Sequence, residues 1–169
     1  PGSYRPIVGQ AEGHFHSWIE FGNRLLTFAL MLAAIIAVVA VLKSGRKDLR
    51  ALVLLQFLGI LGQGVLGGIT VLTKLNPIPV AGHFLLSIAL IAAGSTLYYQ
   101  HDKKFLKISS IKIVSRIHII IATTIIVLGT MVTGTGPHAG DWQAPRFPFK
   151  IQTIARIHAD AVIIFLILT

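Results

Sequence analysis

An all-α, polytopic transmembrane helical bundle is the fold this chain predicts, on two observations. Of its 169 residues 54% are hydrophobic and only 12% charged, and the mean hydropathy is +0.77; soluble domains carry about 25% charged residues. Apolar stretches of roughly 20 residues recur at 22–42, 51–73, 79–99, 113–134 and 154–169, each able to cross a ~30 Å hydrocarbon core.

The charges between these stretches predict an orientation. The loop 43–50 carries Lys43, Arg46, Lys47 and Arg50, and the region from loop 101–112 into the next span carries Lys103, Lys104, Lys107, Lys112 and Arg116. An excess of Lys and Arg marks the cytoplasmic side. The segment 1–18, the Leu75-Asn76-Pro77 turn and the loop 135–152 hold only Arg5, Lys74, Arg146 and Lys150, so these are expected outside, with the amino end. The net charge of +9 reflects this asymmetry and an attraction to anionic membrane lipid. It is not read as a nucleic-acid footprint, since no basic and aromatic pattern accompanies it. The absence of cysteine excludes disulfides, thiolate ligands and iron–sulfur clusters within these residues. The chain opens at Pro1 and stops at Thr169 inside an apolar run, which is expected of a piece of a longer protein.

The first span enters through HSWIEFGNRLLT at 16–27. Ionisable residues at a membrane border are costly and tend to be functional. Glu20, Asn23 and Arg24 stand at i, i+3 and i+4, one face of a helix. In the second span Gly59, Gly62, Gly64, Gly67 and Gly68 crowd together, and the Gly64-x-x-x-Gly68 spacing is expected to let helix backbones approach. Gln63, polar at mid-membrane, is expected to face the bundle interior.

Two histidines stand at one depth. His83 and His158 each lie about four residues into an apolar stretch, roughly 6 Å below the same border at ~1.5 Å per residue, and Asn23 is near that level. Neutral imidazoles on facing helices are a common way to hold haem iron. Small neighbours, Ala81 and Gly82 beside His83 and Ala155, Ala159 and Ala161 around His158, leave room for a flat ring. Arg24 and Arg156 could pair with propionates. A single intramembrane histidine is as readily a hydrogen-bonder to a neighbouring helix, and His118, near the cytoplasmic end of its span, is read as a buried hydrogen-bonder. His14, His16 and His138 are placed in outer segments and His101 in a basic loop. A faint repeat appears when Asn23 is laid on His158: Trp18–Arg24 then runs beside Thr153–Ala159, as in membrane proteins built from two similar halves.

The stretches WIEFGNRLLT at 18–27, GQGVLGGITVLTKLNPIPVAGHFLLS at 62–87, VLGTMVTGTGPHAGD at 127–141 and IARIHAD at 154–160 resemble haem A synthase, in its actinobacterial branch most closely. The resemblance implies eight transmembrane helices in two pseudo-repeated four-helix halves, of which this chain would hold the second to fifth and most of the sixth. Residues 1–100 would then be the amino-terminal half-bundle on the substrate side, and 101–169 the start of the carboxy-terminal half on the cofactor side. It implies an oxidoreductase of the bacterial plasma membrane that converts the C8 methyl group of haem O to a formyl group by successive hydroxylations, with water as oxygen source, giving haem A for cytochrome oxidase.

By position, Glu20 matches the essential carboxylate of the family's Glu-x-x-His-Arg motif and Arg24 its arginine. His83 matches an iron ligand of the substrate haem, and His158 a ligand of the haem B cofactor, with Arg156 beside it. Asn23 stands where the motif has histidine, and an amide is a poor iron ligand; the substrate haem is therefore expected on His83 without the usual second imidazole. Partners implied are the farnesyl transferase that makes haem O and further copies of the chain. The alternative is a membrane di-haem cytochrome that only carries electrons, which would not need Glu20 beside Arg24.

Overall fold

The computed structural model describes residues 10–101, 112–137 and 143–169; for residues 10–17, Glu20, Arg24, His101 and Lys112 it describes the backbone alone. Among these residues the fold is all-α, with no strand: α1 (Gln10–Lys43), α2 (Lys47–Leu72), α3 (Pro77–His101), α4 (Lys112–Thr135) and α5 (Ile151–Ile167). Four contain apolar spans long enough to cross a membrane, at Phe21–Lys43, Lys47–Leu72, Pro77–Gln100 and Ile113–Thr135. The fifth, α5, is equally apolar in sequence but has 17 residues.

Burial is inverted relative to a soluble domain. Among the described residues only Ala34, Val41, Leu49, Val53, Ile60 and Ala144 are buried apolar residues, whereas dozens of large apolar side chains, Phe28 at 73% and Ile119 at 66% among them, are exposed. Such a surface is stable only in lipid, where each helix satisfies its own backbone. Threonine hydroxyls are satisfied in the same way: those of Thr27, Thr70, Thr96, Thr123, Thr124 and Thr133 donate to the carbonyl four residues back at 2.7–3.0 Å, a bond that hides a polar group from hydrocarbon.

The chain forms two compact units, one ending at Ile60 and one running from Leu61 to Thr169. In the first, the connection from α1 to α2 turns on Gly45 at φ 71°, a left-handed conformation that glycine adopts without steric penalty. Arg46 pairs with Asp48 at 2.7 Å across this turn, and the bond raises the guanidinium's pKa above its ordinary value.

In the second unit the last part of α2 (61–72), α3, α4 and α5 run alternately up and down. The α2–α3 turn is a Schellman motif: Leu75 N–H donates to Thr70 O at 3.0 Å and Lys74 N–H to Val71 O at 3.1 Å. No glycine supplies its left-handed residues, which are Lys74 (φ 52°) and Leu75 (φ 59°). Asn76 then caps α3, its Oδ1 accepting from Ile78 N–H at 3.0 Å, and Pro77 takes the first helical position, where a missing N–H is harmless.

The helices begin earlier than the apolar stretches predict. α1 starts at Gln10, not 22, and α5 at Ile151, not 154. Hydropathy marks where a helix meets lipid, while capping and backbone hydrogen bonding set where it starts. A second correction concerns the α2 glycines. At Gly64 and Gly68 a Cβ would meet nothing within 4 Å among the described residues, whereas at Gly62 it would lie 3.5 Å from Leu86 and at Gly67 3.5 Å from the His83 ring. The close approach follows the helix face that carries Gln63 and Gly67, one turn apart.

Candidate functional site

His83 lies six residues into α3 and His158 seven residues into α5, so they are roughly 9 Å and roughly 10.5 Å from their helix starts at ~1.5 Å per residue. The two imidazoles are held alike. For each, the preceding helix offers a glycine: a Cβ at Gly67 of α2 would lie 3.5 Å from His83 Cε1 and 3.8 Å from Nδ1, and a Cβ at Gly129 of α4 would lie 3.4 Å from His158 Cε1 and 3.9 Å from Nδ1. In both rings Nδ1 is buried and without a hydrogen-bond partner. A buried unpaired polar atom costs about 1–3 kcal/mol, so two in matching positions call for a reason beyond packing.

His158 opens on a cavity of about 500 Å³ between α3, α4 and α5, within the size range of small-molecule and cofactor sites. One face of α3 lines it with Pro77, Val80, Ala81 and Phe84, at i, i+3, i+4 and i+7; α4 contributes Ile125, Ile126, Gly129, Thr130, Thr133 and Gly134. The two threonine hydroxyls donate to their own helix, Thr130 to Val127 O at 2.7 Å and Thr133 to Gly129 O at 3.0 Å. The wall is therefore apolar apart from the imidazole. His83 is not among the lining residues; it faces α2, about 100° around α3 from Phe84. The histidines thus belong to two places joined by one helix.

Two residues of the cavity wall, Pro77 and Gly134, take part in a contact the sequence did not reveal. Gly134 is buried near the end of α4, where a Cβ would lie 2.6 Å from the ring of Phe147 and 2.8 Å from Pro77 Cβ, and its carbonyl accepts from Phe147 N–H at 2.9 Å. The only hint in the sequence is the Gly134-Thr135-Gly136-Pro137 run.

Gln63 faces the bundle interior, as expected. Its Nε2 donates to the His83 carbonyl at 3.1 Å and to Ser87 Oγ, and the Ser87 hydroxyl donates to the same carbonyl at 3.1 Å. His118 is a hydrogen-bonder but a half-exposed one rather than buried, bonding within its own helix with Nδ1 3.0 Å from Val114 O and its ring edge-on to Phe165. Asn23 is exposed on α1, its carbonyl accepting from Thr27. Arg156 is exposed and absent from the cavity wall, as its i, i+2 spacing from His158 requires. Glu20 and Arg24 lie on α1 with side chains outside the described residues, as are the side chains of His14, His16 and His101 and the whole of His138. No group of three or more metal-ligating side chains occurs among the described residues.

The donor set fits haem. Each site offers one imidazole whose Nδ1 side is buried against glycine, with Nε2 more than 4 Å from the glycine's Cβ position; at His158 the walls are apolar, and among the described residues neither site has the cluster of acidic ligands a hard cation needs. No curated protein and no solved structure gives a match. Residues 6–157 match the COX15-CtaA family, described as cytochrome oxidase assembly protein. Since that match spans most of the chain, the protein belongs to the COX15-CtaA family of cytochrome oxidase assembly proteins, the haem A synthases.

Proposed function

We propose that the whole protein oxidises the C8 methyl group of haem O to a formyl group. The single observation that supports this most is His158 on an apolar cavity of about 500 Å³, with Nδ1 backed by Gly129, in a chain of this family. In this reading haem O is the substrate, held through His83, and His158 holds the cofactor, haem B, which when bound carries electrons away from the substrate. Arg24 and Arg156 pair with propionates at the membrane border.

The chemistry defines what the protein's side chains must do. Converting a methyl to a hydroxymethyl group with water releases two electrons and two protons; a second such step gives a gem-diol, which loses water to the aldehyde. Glu20 is assigned to receive protons and to favour positive charge developing at the methyl carbon. Asn23 stands where the motif has histidine, so of these two positions only His83 would offer an imidazole to the substrate haem. The apolar α3 and α4 walls exclude bulk water from the His158 site and give its contacts greater electrostatic weight. The basic loops 43–50 and 101–112 lie on the cytoplasmic side, and both imidazoles lie nearer the outer face. Membrane lipid surrounds the exposed helix faces, and haem O synthase and further copies of the chain are the proposed protein partners.

The test is haem content in the purified full-length protein. His158→Ala is expected to lose haem B and keep haem O, and His83→Ala to do the reverse; loss of neither haem in either variant contradicts the assignment.

A further inference from the structure

The turn of α3 that carries His83 is gripped by α2 at two levels. Gly67 backs the ring, and one turn earlier on α2 Gln63 reaches across with Nε2 to both the His83 carbonyl and Ser87 Oγ. The carbonyl accepts from Gln63 and from Ser87, each at 3.1 Å. Sliding or rotating α3 against α2 would break these bonds in a medium with no water to replace them.

Two atoms of this cluster remain buried and unpartnered, Gln63 Oε1 and His83 Nδ1. One is an acceptor, and the other becomes an obligatory donor once Nε2 binds a metal, because the imidazole then carries its proton on Nδ1. A ligating histidine nearly always donates that proton to a fixed acceptor, which sets the ring plane and raises ligand basicity. Gly67 brings no side-chain acceptor to Nδ1, whereas Gln63, one turn earlier on the same helix face, carries an unpartnered amide oxygen.

We propose that Gln63 is the positioning residue of His83: Nε2 fixes the α3 turn, and Oε1 accepts Nδ1–H when Nε2 is bound to iron. The inference rests on the reading of His83 as the substrate-haem ligand. It makes Gln63 a determinant of that haem's redox potential without contact to the haem itself. A stronger acceptor on Nδ1 gives the ring more imidazolate character, favours ferric iron and lowers the potential; removing the acceptor raises it.

The experiment uses the full-length protein purified with its haems. His83→Ala first identifies the haem whose retention depends on His83, and if no haem depends on it the ligand reading fails, and the inference with it. The midpoint potential of that haem is then measured in Gln63→Leu and Gln63→Glu, with the His158 haem as internal reference. The expected result is a rise in Gln63→Leu, no rise or a fall in Gln63→Glu, and an unmoved reference. Unchanged potentials, or equal shifts of one sign in both variants, would overturn the proposal while leaving the His83 reading intact. If Gln63→Leu does not fold, Gln63→Glu decides alone, a fall in the potential supporting the proposal and an unchanged or raised potential overturning it; if both lose the His158 haem as well, Gln63 is a folding residue and the proposal is overturned.

Discussion

Gly129 backs His158 as Gly67 backs His83: a Cβ at either glycine would stand 3.4–3.5 Å from the ring Cε1, with Nδ1 buried beside it. The same device recurs on two helix pairs, and in both the ring is backed on its Nδ1 side by a glycine with no hydrogen bond there. A methyl group fits at this distance; a branched side chain does not.

Gly129→Ala is therefore expected to retain haem B, whereas Gly129→Val should displace the ring, with overpacking of about 1–3 kcal/mol. Haem B content and the Soret spectrum of the full-length variants check this. Equal retention in both would mean that the glycine does not position the ring.

Gly134→Ala should be more damaging than Gly129→Ala, because its Cβ would lie 2.6 Å from Phe147 and 2.8 Å from Pro77 Cβ. The strain, again about 1–3 kcal/mol, is read as a lower thermal midpoint in detergent. Phe147→Ala in the same chain should recover part of the loss, leaving the Pro77 clash; a double-mutant cycle measures that coupling. Strict additivity would remove Phe147 from the contact.

The α2–α3 turn predicts two changes of opposite sign. Asn76→Ala removes the cap on Ile78 N–H and should cost about 0.5–2 kcal/mol. Lys74→Gly relieves a left-handed lysine at φ 52° and should stabilise by up to about 1 kcal/mol, since such a conformation costs a side chain roughly 1–2 kcal/mol and glycine gives back part in entropy. Reversible unfolding in mixed detergent reads both.

Five helices, their order and the interior placement of Gln63 were legible because hydropathy and a lone amide among apolar residues carry that information directly. The helix starts at Gln10 and Ile151 were not, since polar residues outside the lipid window also form helix. Gly64-x-x-x-Gly68 was the more familiar spacing, but which glycine face meets α3 depends on the rotation of α2, and that is fixed by Gln63 on the His83 carbonyl, a contact twenty residues apart. His83 and His158 stood out by their depth. Their division between an α2-facing position and the α3–α4–α5 cavity follows from helix phase, which adjacent residues such as His83 and Phe84 reveal only once their neighbours are in place.

The central claim is tested most directly by the pigments of cells that make haem O and express the full-length protein, either intact or as Glu20→Gln. Extraction and mass analysis should find haem A or its hydroxylated intermediate with the intact protein and only haem O with the variant, while both retain haem B. Haem B in both proteins with haem O never oxidised by either would contradict the synthase reading and leave an electron-carrying cytochrome.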